Sequence, residues 1–317
     1  MTKVLVTGGT GFIGRSVVKS LVRNGNQVTI LDDNSRGAIS KLGEFTKEVH
    51  FIEGDIRNSE LVNHALKNID VVVHLAYING TEHFYTKPFE ILDVGITGML
   101  NLLKAHRSQG YSRLILASSS EVYQEPKVIP TPEDVQLVIP NILNPRYSYG
   151  GGKIASELLL MNYAFQHKLK ADVFRPHNIY GPDMGQEHVI PQVIGKIKRI
   201  LAGKNLDKLE IQGTGKETRA FCYIEDFEQA FNIIFKNNVT NEIYNIGNPI
   251  ETSVLKLVNS ISEIMEFKGK IVPSELQIGS PVRRCPDISK IESMGFVPNW
   301  DLESGLKKTI DFYNNET

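Results

Sequence analysis

The apolar run "KVLV" passes directly into "TGGTGFIG" (residues 7–14) and then into an amphipathic stretch bearing Val17, Val18, Leu21 and Val22. No other feature limits the fold as strongly. Gly8, Gly11 and Gly14 fall between a strand and a helix. Glycines there permit a tight turn, close backbone approach to a pyrophosphate, and close packing of helix on strand. The helix start adds free N–H groups and the positive end of its dipole. The spacing is G-x-x-G-x-x-G rather than G-x-G-x-x-G, in the strand–loop–helix setting that a dinucleotide loop requires. Phe12 and Ile13, between the last two glycines, are grouped with them as cofactor-binding.

The run "QVTILD" ends on Asp32, an acid placed to accept hydrogen bonds from the adenosine ribose hydroxyls and to repel a 2′-phosphate. NAD is therefore expected rather than NADP. Asp33, Asn34, Ser35 and Arg36 continue the same loop, with Arg36 read as a solvated loop cation. In "GDIR", Asp55 and Ile56 reach the carboxyl edge of the next strand, where adenine could sit; equally, Asp55 could cap the following helix. Leu75 and Ala76 close the run "DVVVHLA" and complete the cofactor-binding set.

These runs, with "RLILASS" and "ADVFRP", alternate with helically spaced segments such as Leu61-Val62-Ala65-Leu66. Repeated strand–helix–strand order predicts an α/β fold: a Rossmann-type doubly wound parallel sheet. After about Tyr180 the regularity fades, leaving a helix near 189–202 and shorter pieces that suggest a smaller mixed lobe. The expected division is 1–176 for the NAD-binding domain and 177–317 for a substrate lobe, with some chain crossing between them. A net charge of −1 argues against a general nucleic-acid binder. With only Cys222 and Cys285, neither a disulfide framework nor a cysteine-rich zinc site is available, and no metal is expected. The first strand begins almost at once, leaving no room for a signal peptide, and no apolar run approaches the roughly 20 residues of a membrane span. A cytoplasmic location is the expectation.

Chemistry concentrates in "RYSYGGGK". Tyr149 and Lys153 are four residues apart, on one face of a helix. A neighbouring ammonium should lower the phenol's pKa and make it a usable base near neutral pH. "SSSEVY" follows the fifth strand, where a serine hydroxyl could share the substrate proton. Yet Gly150, Gly151 and Gly152 separate the pair, each costing a helix roughly 1 kcal/mol relative to alanine. Their presence predicts that another body approaches closely, either a substrate or a second subunit.

The segments "TGGTGFIG", "GDIR", "HLA", "SSSEVY", "YGGGK", "RPHNIYGP" and "TRAFCYIEDF" occur over nearly the whole chain. In them the chain resembles the extended short-chain dehydrogenases/reductases that modify nucleotide sugars. The resemblance implies catalytic Ser119, Tyr149 and Lys153, the last two also touching NAD, and a C-terminal lobe closing over a nucleoside-diphosphate sugar, UDP- or GDP-linked. It assigns Asn178, Arg219 and Arg284 to the sugar diphosphate or sugar, with Ser120 also substrate-binding, and it implies a homodimer. Family 4,6-dehydratases carry Asp-Glu after the catalytic Ser/Thr where this chain has Ser120-Glu121, which disfavours dehydration. UDP-glucuronate decarboxylases share the Ser-Glu pair and the Pro145-Arg146 dipeptide, and there Glu121 is a fourth catalytic candidate. They differ at Asp183 and at Gln124, where they have arginine and glycine. The family's site asparagine aligns with Gly95, leaving Asp93 or water to substitute, and Tyr77 with residues 78–85 forms either a sugar pocket or a lid packed on the core. Epimerisation through a 4-keto sugar needs the least further machinery and is the expected reaction. Decarboxylation, release of the ketone, or a non-catalytic NAD sensor are the alternatives.

Overall fold

The computed structural model describes residues 1–203, 208–275, 279 and 281–315. Its strands and helices alternate from the start: β1 (Lys3–Thr7), α1 (Phe12–Arg23), β2 (Gln27–Asp32), β3 (Val49–Glu53), α2 (Ser59–Ala65), β4 (Val71–His74), α3 (Thr81–Thr86), α4 (Pro88–Gln109), β5 (Arg113–Ala117), α5 (Tyr147–His167) and β6 (Lys170–Pro176). β1 to β6 pair in parallel, and the strand Glu242–Ile246 adds a seventh beside β6. Order across the sheet is Glu242–Ile246, β6, β5, β4, β1, β2, β3. Strand order reverses between β1 and β4, so the loops leaving their carboxyl ends diverge and open the crevice where this architecture takes ligands.

Val4, Leu5 and Val6 of β1 are fully buried, as an inner parallel strand requires. On one face Leu5, Val72 and Leu114 pack with Leu102 and Leu103 of α4, Val62 of α2 and Leu160 of α5. Each such leucine contributes about 1.5–3 kcal/mol on burial. Two buried ion pairs tie the sheet's far side: Arg113 to Asp172 at 2.5 Å, and Arg175 of β6 to Glu157 of α5 at 2.6 Å.

The chain forms two compact units. The first contains residues 1–124, 136–176 and 228–244, and the second 125–135, 177–227 and 245–317. Among the described residues, the second unit holds three small sheets. Ile179–Tyr180 pairs with Cys222–Tyr223, and Lys208–Gln212 with Lys270–Ser274, both in parallel. Thr218–Ala220 lies between Glu251–Ser253, antiparallel, and Arg283–Arg284, parallel. Its longer helices are Val189–Leu201, the one expected near 189–202, with Val254–Ile264 and Leu302–Asn315. Among the described residues, no helix is long and apolar enough to cross a membrane.

Candidate active site

At the carboxyl end of β1 the glycines are needed as backbone. Gly8 has φ +73°, and a Cβ there would lie 2.6 Å from the Ala76 nitrogen. A Cβ on Gly14 would overlap the Gly8 carbonyl oxygen. Gly11 is the N-cap of α1 and offers no side-chain acceptor, so the first N–H groups of Phe12, Ile13 and Gly14 meet the loop without a cap. Across the switch point Thr7 Oγ1 accepts from the Leu75 and Ala76 nitrogens at 3.3 Å each, fixing the two loops together. A bare backbone cradle at a helix N-terminus, with an acid beside it, fits a dinucleotide pyrophosphate and ribose.

That acid, Asp32, is buried and rigidly held. One carboxylate oxygen accepts from Thr10 N and the other from Asn34 N, both at 2.9 Å. Asp33 accepts from the Ser35 amide and hydroxyl, closing a turn. Arg36 is exposed, as expected of a loop cation; its guanidinium also donates to the Asn79 carbonyl and acts on Tyr149. Asp55 does not cap α2, because Asn58 does so by accepting from Glu60 N and Leu61 N. Instead Asp55 pairs with Arg57, which holds the carboxyl below its ordinary range. Asn101 donates to the carbonyls of Ile56 and Arg57, pinning that loop.

The reacting groups gather at the end of β5 and the start of α5. Ser119 caps a short 3-10 turn (Ser120–Tyr123), its hydroxyl accepting from Glu121 N at 3.1 Å. The same hydroxyl lies close enough to the Tyr149 phenol to draw its pKa down. Lys153 is buried and donates from Nζ to the Ala117 carbonyl at 2.7 Å. Glu121 meets Arg146 at 3.5 Å, and both lie near Tyr149. Ser120 is buried in the same turn.

The electrostatics correct one expectation. Burial raises the Tyr149 phenol to about 12, with Glu121 adding to the rise, while Ser119 and Arg36 pull it down. Lys153 is not among the groups that draw the phenol down. Its Nζ sits 5.7 Å from the Tyr149 ring centre, and burial drives its own ammonium down to about 7. In a desolvated pair each group resists its charge.

The three glycines of α5 make room for this chain's own side chains. A Cβ on Gly150 would overlap Gln124 Nε2 and lie 2.8 Å from the Glu121 carbonyl. On Gly151 it would press on Ile139 at 3.2 Å, and on Gly152 it would overlap the Tyr77 hydroxyl. Gln124 itself holds φ +51°, a conformation suited to the glycine it replaces, and donates to the Glu121 carbonyl at 2.7 Å. Asp93 does not stand in for the missing amide at Gly95; it binds Arg57 at 2.8 Å and Thr97 at 2.9 Å. Tyr77 fills the space above Gly95 instead. Residues after Tyr77 form a lid: Phe84 of α3 stacks on Tyr149 at 5.0 Å, and Tyr77 meets it edge-on at 5.3 Å.

In the second unit, Asn178 (φ +43°) donates to the Ala220 carbonyl at 2.9 Å. Arg219 donates to the carbonyls of Thr218 and Pro281, both at 2.7 Å. Arg284 is buried and is the register partner of Arg219 on the neighbouring strand. Two guanidinium groups on paired positions favour an anion beside them.

A profile of the NAD dependent epimerase/dehydratase family matches residues 4–247. The UDP-N-acetyl-alpha-D-glucosaminuronate decarboxylase of Bacillus cytotoxicus is 33% identical over 321 residues, spanning 98% of this chain and 97% of that protein. The structure of UDP-glucose 4-epimerase from Thermotoga maritima with UDP-glucose superposes with a TM-score of 0.87 at 30% identity, covering 99% of each chain. That of UDP-glucuronic acid 4-epimerase from Bacillus cereus, with UDP-glucuronic acid and NAD, gives 0.87 at 28% identity, again over 99% of each.

Proposed function

The chain belongs to the NAD-dependent epimerase/dehydratase family of nucleotide-sugar enzymes, and within it we propose that it oxidises the C4 hydroxyl of a UDP-linked sugar and returns the product as an epimer. What supports the reading is that the Ser119 hydroxyl acts on the Tyr149 phenol while Lys153, one turn along the same helix, donates to the Ala117 carbonyl at the end of β5. Tyr149 takes the hydroxyl proton, Ser119 bridges phenol and sugar oxygen, and Lys153 fixes the base from the Ala117 carbonyl. Gly8, Gly11, Phe12, Ile13 and Gly14 would hold the NAD pyrophosphate and Asp32 the adenosine ribose, with residues 33–36, Asp55, Ile56, Leu75 and Ala76 around them. Bound in its oxidised form, NAD supplies the hydride acceptor and a positive charge. Asn178, Arg219, Arg284 and Ser120 would hold the nucleotide sugar, whose UDP identity is suggested by the UDP-sugars bound in both neighbouring structures.

A second reading, decarboxylation of a UDP-uronate, is favoured by Glu121, a carboxylate one residue beyond the serines and paired with Arg146. The two diverge on substitution. If only the C4 hydride and hydroxyl proton move, Glu121→Gln should alter the rate modestly and leave the product unchanged. If Glu121 works after oxidation, the same variant should stall, with reduced cofactor and a 4-keto sugar accumulating. Carbon dioxide release, or deuterium at carbon in heavy water, overturns the simple epimerase.

The chain is also proposed to form a homodimer through α5. Leu158 and Phe165 are 59% and 92% exposed and seven residues apart, on one helix stripe with Met161. Phe165→Glu should convert a dimer to a monomer in sedimentation velocity. An unchanged sedimentation coefficient would remove this face as the interface.

A further inference from the structure

We propose that Tyr77 is a positioning residue of the active site, the face of its ring holding the Lys153 ammonium from space left open by Gly95 and Gly152. This rests on the roles given above to Tyr149 and Lys153. Lys153 Nζ lies 3.8 Å from the Tyr77 ring centre, against 5.7 Å for Tyr149, so Tyr77 presents the nearer aromatic face. The ring could not be there if its neighbours had side chains. A methyl at Gly95 would overlap two of its ring carbons and the hydroxyl, and one at Gly152 would overlap the hydroxyl again. Two glycines on two different helices thus serve one aromatic side chain. The ring also meets Tyr149 edge-on at 5.3 Å, so a single residue touches both members of the pair.

A cation over an aromatic face is attracted by the ring quadrupole, and more strongly where both are desolvated. Lys153 is 2% exposed and the Tyr77 hydroxyl is buried beside Ser156. Burial pushes the Tyr77 phenol upward, which keeps the ring neutral. The titratable groups that face Lys153 are Tyr149 and Glu157 on its own helix, His74 on β4, and Tyr77 itself. Only Glu157 among them favours the charged lysine through charge. Since burial already draws the ammonium down to about 7, a small loss of support decides its charge at neutral pH.

The test titrates Lys153 in the full chain without added ligand, following lysine labelled with carbon-13 at Cε and identifying the signal by its loss in Lys153→Arg. Tyr77→Phe keeps the ring and should titrate within a few tenths of a unit of wild type. Tyr77→Leu removes the face and should lower the Lys153 midpoint by about one unit. The double variant Tyr77→Leu/Gly95→Ala restores volume without the ring and should match the single leucine variant. With NAD and UDP-sugar, Tyr77→Leu should lower kcat about tenfold while KM changes little. A leucine variant titrating with wild type overturns the proposal, as does a phenylalanine variant displaced as far as leucine. Should the wild type turn over no UDP-sugar, the proposed reaction fails while the titration still decides the placement of Lys153 by Tyr77.

Discussion

Tyr149→Phe should lower the rate of C4 oxidation by about 10²–10⁴-fold while leaving NAD binding nearly intact. Phenylalanine keeps the ring that Phe84 stacks on and Tyr77 meets edge-on, so packing survives and only the phenolic oxygen is lost. The influence of the Ser119 hydroxyl on that oxygen is lost at the same time. The pH dependence gives a second signature. With the free phenol raised to about 12, its basic form is a small minority at pH 7 and grows about tenfold per pH unit. The wild-type rate should therefore climb as pH rises through the neutral range, and the residual rate of the variant should lose that slope. Stopped-flow appearance of reduced cofactor measures both. A variant within a factor of a few of wild type would show that another group takes the proton, and Glu121, close enough to act on Tyr149, would be the first suspect.

The parallel sheet was legible because inner strands are buried on both faces and read as unbroken apolar runs; β1 and β4 are examples. The glycine loop was legible because strand, loop and helix are local in sequence. Ser119, Tyr149 and Lys153 could be nominated from spacing, but their ionisation could not. Whether Tyr149 sits in water or beneath Phe84 depends on α3, more than sixty residues earlier in the chain. The three glycines of α5 pointed to a close approach but to the wrong source: a substrate or second subunit was expected, whereas Gln124, Ile139 and Tyr77 of this chain reach that helix from separate segments. Asp93 failed as a substitute for the missing amide for a similar reason: Arg57, across from it on another loop, claims its carboxylate first. Local motifs fix which residues can react. Tertiary burial fixes their protonation.

The largest stability effect is expected beneath the site, at Arg175. Its guanidinium is 2% exposed and fully engaged: Nε donates to Glu157 at 3.0 Å, Nη2 to the other carboxylate oxygen at 2.6 Å, and Nη1 to the Tyr123 hydroxyl at 2.7 Å. The Ser118 hydroxyl donates to the same carboxylate, which places this network one residue from Ser119 and four from Lys153 along their elements. Arg175→Met removes the cation and strands a buried carboxylate on α5, at a cost of about 3–5 kcal/mol. A pair replaced together by apolar residues leaves no uncompensated charge, so Arg175→Met/Glu157→Leu should recover most of that loss. Urea denaturation of the two variants and wild type gives the comparison directly, with midpoint shifts read at constant slope. If the single variant lies within about 1 kcal/mol of wild type, water must reach Glu157 once the arginine is gone. If the double variant is no better than the single, the damage comes from lost packing against Tyr123, whose ring lies 4.8 Å from the guanidinium. A stable double variant that nevertheless reacts slowly would locate the network's value in holding the end of β5 against α5, where Ser119 and Tyr149 must meet.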